Sequence, residues 1–349
     1  MTLRDFVHCG RVICLLCVAL IGLNGPQFAG GAWAGTLDVV RARGHIECGV
    51  SEGTPGLSTA DDTGKWSGLG VDFCRALAAA VLGSKEAVKF SALKAADRVK
   101  ALKSGAVDVL AGTTPWTLSF DSDLGIRFAG VLFYDGQGFL VRRGDAVSSV
   151  YELSGTSICV TSGTSAEQSL GDFFKSQQMK YQVVVAAGWA AVVKAYAGNS
   201  CTVLTGDLAA LAFERSMLTK PSDHILLPEL VSKEPLGPVV RLGDDQWFSI
   251  VRWTLMALLS AEELGISSGN AEVMRKSTVL DVKRLLGIEG NLGESLGLPA
   301  DWAFQAIKQV GDYGDMFERN FGTKSGMKLE RGFNQLWTKG GLMFPAPLR

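Results

Sequence analysis

Two strand ends carry the residues best suited to chemistry. In residues 108–121, DVLAGTTPWTLSFD, an apolar run leads straight into Gly112, Thr113, Thr114, Thr117 and Ser119. The crevice beyond the carboxyl ends of strands in an α/β sheet is where small molecules bind, and hydroxyls with free backbone N–H groups there suit an anionic ligand. The stretch contains no Arg or Lys, and by itself it also fits an ordinary strand-to-helix turn. A second series of residues is similar. Thr161, Ser162, Gly163, Thr164 and Ser165 form a turn before a helical run at 166–174, with Thr164 and Ser165 as N-cap candidates. A helix N-terminus offers unpaired N–H groups and a positive dipole end, which makes this turn an anion cradle, although a plain N-cap is the commoner meaning. The run TVLTGD ends on Gly206 and Asp207, and an early strand ends on Ser51 and Glu52. Glu52 and Asp207 are the one pair of acids that could converge as general acid and base.

Composition removes several classes of chemistry. The three histidines are His8, His45 and His224, too few for a His-based triad and a zinc site besides. Beyond residue 34 there is no C-x-x-C, and with histidine this scarce no metal or other cofactor is expected. A net charge of -1 over 349 residues argues against a nucleic-acid partner. Arg4 and Arg11 precede the apolar run 12–23 and the triplet Ala32-Trp33-Ala34, which reads as a cleavable secretory signal covering residues 1–34. Beyond it remain Cys48, Cys74, Cys159 and Cys201, an even count in a chain sent to an oxidising compartment. Of three pairings, Cys48 with Cys74 and Cys159 with Cys201 keeps each bridge inside one half of the molecule.

The elements that must position these groups alternate in type. Strands are expected at 45–51, 87–91 and 107–111, with helices at 71–81 and 96–104 between them, which predicts βαβ units and a mostly parallel sheet. A strand at 138–141 closes this series, and a second one starts with strands at 156–160, 183–185 and 202–205 and helices at 166–174 and 189–197. From Lys233 an extended segment returns, followed by a helix at 246–263. The expected division is 35–141 for the first part of lobe one, 142–237 for lobe two, and 238–349 for the return and a helical C-terminal extension. Helices are expected there at 302–310, 316–320 and 329–338, with their aromatic residues in the core. Two crossings between two lobes make a hinged clamp, and inter-lobe crevices favour small-molecule sites.

The order of elements, with the runs GVSEGTPGLS, GLGVDFCRALAAAV, LKSGAVDVLAGTT, YDGQGFLVR, SKEPLGPVVRLGDDQWFSIVRWTL and IKQVGDYGDMFERN, resembles the family 3 extracellular solute-binding proteins, in particular their general amino-acid-binding members. The resemblance covers almost the whole chain after the signal. It implies an α/β two-lobe clamp of periplasmic-binding-protein type II, a periplasmic location, and a monomer that delivers an amino acid to an inner-membrane ABC permease without catalysis.

The resemblance also assigns roles. Asp207 falls where the family accepts hydrogen bonds from the ligand's α-ammonium group. Gly112 and Thr114 match the ligand-binding strand end of lobe one. Ser162, Gly163, Thr164 and Ser165 match the turn that offers donors to the α-carboxylate, and Ser51 and Glu52 lie where side chains touch the ligand's variable part. Phe120 departs from the pattern, because the family places there an Arg that grips the carboxylate with two hydrogen bonds. Loss of such a contact from a desolvated site costs about 2 to 5 kcal/mol. Three explanations stand: Arg127, or else Arg98 or Arg142, serves instead; the ligand lacks that group; or affinity has been lost. The alternatives in function are a receptor for a non-standard or non-amino-acid polar solute and, since some relatives of this fold became enzymes, a secreted lyase or dehydratase built on Glu52 and Asp207.

Overall fold

The structure is a computed structural model that describes residues 35–123 and 125–349. The expected signal segment, 1–34, lies outside them. Among the described residues, no helix is long and apolar enough to cross a membrane.

Lobe one opens with α1 (Thr36–Arg43) and β1 (Ile46–Ser51), then a small hairpin of β2 (Thr59–Ala60) and β3 (Trp66–Ser67). It continues through α2 (Leu69–Leu82), β4 (Val88–Leu93), α3 (Arg98–Ser104), β5 (Val109–Pro115), α4 (Leu118–Asp123), β6 (Ile126–Phe128) and β7 (Phe133–Asp135). Lobe two holds β8 (Gln137–Arg142), β9 (Ser157–Thr161), α5 (Ser165–Ser176), β10 (Gln182–Ala186), α6 (Trp189–Ala197), β11 (Val203–Asp207), α7 (Leu208–Met217) and β12 (His224–Leu226). The chain returns on β13 (Glu234–Arg241) and ends with α8 (Asp245–Glu263), α9 (Ala271–Met274), α10 (Leu280–Leu285), α11 (Trp302–Val310) and α12 (Tyr313–Asn320).

The first sheet has the order β4-β1-β5-β13-β6, with β7 also on β13, and the second has the order β10-β9-β11-β8-β12. Pairing is parallel within β4-β1-β5 and within β10-β9-β11, and antiparallel where β13 and β8 join. The crossings therefore fall at Asp135–Gln137 and near Ser232–Glu234. Strand β8 lies wholly in the second sheet, so residues 137–141, expected in lobe one, belong to lobe two; likewise 234–237 belong to the first sheet through β13. No change of composition marks either point, because the same apolar strand text feeds both sheets. Gly136 makes the first crossing feasible: a Cβ there would sit 2.6 Å from the Ser232 carbonyl oxygen on the second crossing, so the two segments touch backbone to backbone.

Burial explains the layers. Helix α2 is covered on nearly all sides, its residues Val71, Phe73, Cys74, Leu77 and Ala78 being sealed from solvent between the sheet, α8 and α11. Burying each such side chain stabilises the fold by about 1.5–3 kcal/mol. Disulfides join Cys48 of β1 to Cys74 of α2, and Cys159 of β9 to Cys201, so each staples one sheet to its own lobe. In the extension Trp302, Phe304, Tyr313, Phe317 and Phe321 are buried in the same apolar cluster as α2 and α8. Asp72, buried on α2, accepts hydrogen bonds from the Arg319 guanidinium at 2.8 and 3.0 Å and from Asn320 at 2.7 Å, which ties the extension down.

The helix expected at 329–338 does not form. Short 3-10 turns, Gly332–Asn334 and Trp337–Lys339, take its place, and Phe333 and Trp337 are about half exposed rather than core. Lys328 and Gly332 adopt positive φ, 50° and 49°, and such residues interrupt a right-handed helix before it can propagate.

Candidate functional site

Strand register places the candidate residues beside the hinge. Pro115 and Thr114, at the carboxyl end of β5, face Leu236 and Gly237 at the start of β13. Asp207, at the carboxyl end of β11, faces Gln137 at the start of β8. Both strand ends thus lie next to the two crossings, one on each lobe.

On lobe one, Gly112 and Thr114 sit inside β5 and not in a loop. Antiparallel β13 prolongs the strand to Pro115, and that partner lies more than a hundred residues away in sequence, where a local reading cannot find it. Gly112 is required as glycine, since its φ is +69° and a Cβ would come to 3.0 Å from Leu132. Thr114 is 4% exposed and its hydroxyl finds no hydrogen-bond partner among the described residues, so the site leaves a buried polar group for something else to satisfy. Ser51 is buried with its hydroxyl held by Thr54 at 2.7 Å and Ser58 at 2.6 Å, whereas Glu52 is exposed. Phe120 is half-buried and packs on the apolar cluster of Leu102, Leu110, Ile126 and Phe128.

The arginines sort by geometry. Arg127 donates to Asp245 at 2.7 Å and stacks 3.7 Å over the Phe248 ring, on the edge strand β6, so it does not fold back to the crevice. Arg142 lies over the Tyr196 ring and donates to the Cys201 carbonyl at 3.2 Å. Arg98 is different. It begins α3 just past the end of β4, where Leu93 pairs with Ser51. Burial lowers its pKa and the charge of the Glu52 carboxylate pulls it back up.

On lobe two, the turn is built as a capping box. Thr164 is the N-cap: its hydroxyl accepts from the Glu167 N–H at 3.4 Å and donates to the Thr161 carbonyl at 2.8 Å. Glu167 reaches back so that its carboxylate accepts from the Gly163 N–H at 2.7 Å. The cradle therefore already holds a carboxylate, its own. Ser162, Gly163 and Ser165 are exposed, and Gly163 has φ +72°.

Asp207 precedes α7 without capping it by its side chain. The residue is exposed, yet its carboxyl lies deep enough that burial raises its pKa. Two acids that sequence reasoning did not single out join it at the hinge. Asp135 is buried, accepts hydrogen bonds from Gly136 N–H at 2.9 Å and Ala209 N–H at 3.4 Å, and has its pKa pushed up to about 7 by burial and then by the charges of Asp207 and Glu234. Glu234 is raised as well, by burial and then by Asp207. Both acids sit in runs quoted for their family likeness, YDGQG and KEPLG, where nothing local reveals that two crossings bring them to one point. Trp189 was also missed: its ring covers Gly206, whose Cβ would meet it at 2.5 Å, and its indole N–H donates to Glu214 at 2.9 Å. Among the described residues, no group of His, Cys, Asp and Glu is placed to hold a metal ion. The charges of Asp135, Asp207 and Glu234 oppose one another's ionisation at the crossings.

Comparison with known proteins is consistent across the chain. Residues 46–323 match the model of the bacterial extracellular solute-binding proteins, family 3. The chain is 48% identical over 323 residues, 92% of its length and 95% of the relative's, to the general L-amino acid-binding periplasmic protein AapJ of Rhizobium johnstonii. It is 46% identical over 322 residues, 92% of its length and 95% of the relative's, to the glutamate/glutamine/aspartate/asparagine-binding protein BztA of Rhodobacter capsulatus. A solved periplasmic binding protein of an ABC transporter from Brucella ovis, with glutathione bound, superposes with a TM-score of 0.79 at 46% identity, covering 91% of this chain and all of that one.

Proposed function

The chain belongs to the bacterial extracellular solute-binding proteins of family 3, and we propose from that premise that it is the periplasmic receptor of an amino-acid ABC importer. The observation that carries the reading is the 48% identity, through both lobes and the extension, to a relative named for binding L-amino acids generally. Capture needs no chemistry. A ligand that bridges both lobes stabilises the closed form by its differential contacts, and that form is what an inner-membrane permease would recognise.

In this reading the α-ammonium group of the ligand binds at Asp207 and relieves the repulsion among Asp135, Asp207 and Glu234. A charge-assisted hydrogen bond of this kind is about twice as strong as a neutral one. Thr114 donates or accepts through its unpartnered hydroxyl. Arg98 takes the anionic end in place of the arginine that Phe120 lacks, and the turn at Ser162, Gly163, Thr164 and Ser165 contributes once Glu167 releases the Gly163 N–H. Ser51 supports the loop from behind while Glu52 touches the variable part. In this reading the same acids serve binding and not catalysis: Glu52 faces the variable part of the ligand, and Asp207 serves the ammonium group. Incubation with prephenate-like or arogenate-like substrates should give no product; turnover would restore the lyase reading.

A second ligand class has one observation in its favour. The Brucella ovis relative was solved with glutathione, a peptide that itself carries an α-ammonium and an α-carboxylate on its γ-glutamyl end. Thermal melting of the purified protein against the twenty L-amino acids and glutathione tests both, since a ligand present at a hundred times its Kd stabilises by about 2.7 kcal/mol. Several amino acids raising Tm supports the broad receptor. A rise with glutathione alone would replace it with a peptide receptor.

A further inference from the structure

The C-terminal extension touches the hinge twice. Buried Asn334 brackets one residue of β7: its side-chain oxygen accepts from the Tyr134 N–H at 2.7 Å and its amide donates to the Tyr134 carbonyl at 3.0 Å. Tyr134 is the residue before Asp135, where the chain crosses to lobe two. The buried Tyr313 hydroxyl donates to the Leu132 carbonyl at 2.9 Å on the same segment. The extension therefore fixes the lobe-one side of the first crossing.

It also reaches lobe two. Ala209 and Ala212 of α7 are buried in the same apolar cluster as Met327 and Leu329 of the extension. Arg215, two turns along α7, donates to the Met327 carbonyl at 2.6 Å and the Lys328 carbonyl at 3.0 Å. The charge of Glu330 lies close by. The backbone of this segment is tied to the end of α12, the Leu329 N–H donating to the Phe321 carbonyl at 2.9 Å and the Lys328 N–H to the Gly322 carbonyl at 3.3 Å, so these carbonyls stay with lobe one when lobe two moves. Beside the contact lies a cavity of about 570 Å³, lined by Arg215, Ser216 and His224 on one side and Lys328 and Glu330 on the other, so the two lobes meet here through few side chains. The crevice side is open in this arrangement, with Glu52, Ser162, Ser165 and Asp207 exposed.

We propose that the C-terminal extension is a strut that holds the lobes apart, with Arg215 as the positioning residue whose hydrogen bonds to the Met327 and Lys328 carbonyls stabilise the open arrangement against closure. Arg215 stands about 10 Å along α7 from the crossing, so a rotation of roughly 20° carries it several ångströms, beyond hydrogen-bond reach. Closure then breaks the contact, and the ligand's affinity is lowered by the free energy of breaking it. The part of the proposal that concerns affinity rests on the receptor reading; the part that concerns lobe geometry does not.

The test separates the two. Spin labels at Lys94→Cys and Gln168→Cys, both exposed and on opposite lips of the crevice, report lobe separation by pulsed electron resonance in the unliganded protein. Arg215→Ala is expected to shift the distance distribution towards shorter values, and Arg215→Lys, which keeps the charge, to restore it in part. Asn334→Ala provides an independent variant should Arg215→Ala fail to fold, with a broadened distribution expected. Distributions identical to wild type in every folded variant would overturn the strut. For whichever amino acid the wild type binds, Arg215→Ala should tighten binding about ten-fold; equal or weaker binding would overturn the role of Arg215 in opposing closure. If the wild type binds none of the amino acids, the receptor reading fails while the distance measurement still decides the strut.

Discussion

Asp135 is buried at the hinge, where the charge of Asp207 opposes its ionisation. Asp135 is the one with less water, and burial, then the charge of Asp207, push its pKa up to about 7 from the ordinary aspartate value. The folded protein then keeps a proton that the unfolded chain releases near pH 4. Stability is greatest below that point and falls as pH rises through about 7, by on the order of 4 kcal/mol for this group. Asp135→Asn retains the oxygen that accepts from Gly136 and Ala209 and removes the charge. Chemical denaturation should find it more stable than wild type at pH 8, with the difference shrinking towards pH 4.

The disulfides give a second expectation. Cys159 and Cys201 close 42 residues of chain, and Cys48 and Cys74 close 26. Loop closure of that size stabilises by roughly 3–4 kcal/mol in the chain-entropy view. Replacing Cys159 and Cys201 together by serine should lower the denaturation midpoint accordingly, and leave a protein that still binds if lobe two folds without the staple.

Much of this architecture was legible in the sequence. Helix α6 falls on the expected residues, 189–197, and α8 within one residue, because each shows a helical period between clear glycine or acidic boundaries. The disulfide partners follow from keeping each bridge within a lobe. What escaped depends on partners far away in sequence. β5 runs on through Gly112 and Thr114 because β13 comes back to pair with it, and β8 belongs to lobe two because of β11, which no stretch of YDGQGFLVR announces. The same holds for the site. Asp207 was visible as an acid ending a strand, but Asp135 and Glu234 become its neighbours only through the double crossing, and Glu167 occupies the cradle by folding back one helical turn.

Gly237 should be intolerant of any side chain. It pairs with Thr114, and a Cβ there would lie 1.9 Å from the Gly130 carbonyl oxygen, which is backbone and cannot swing aside. Gly237→Ala should destabilise by about 1–3 kcal/mol or more, as overpacking does, and should also weaken ligand binding because the displaced strand carries Thr114 with it. Unchanged stability would show that β13 has slack the packing does not reveal.

Arg98 and Phe120 make opposite predictions. If Arg98 anchors the anionic end, Arg98→Gln should weaken binding of an amino acid by roughly 30- to 5000-fold, the size of effect seen when one partner of a desolvated ion pair is lost. Phe120→Ala should instead act mainly on stability, since the ring fills the cluster around Leu110 and Phe128. An Arg98→Gln protein with wild-type affinity would return the anion to the Ser162–Ser165 turn.

The most direct measurement is calorimetric titration of the purified protein with L-amino acids, repeated on Asp207→Ala. The account predicts saturable one-to-one binding of several amino acids by the wild type and a loss of at least about ten-fold in the variant, as expected when a charged partner in a desolvated site is removed. No heat from any amino acid, or an Asp207→Ala protein that binds as tightly as wild type, would contradict it.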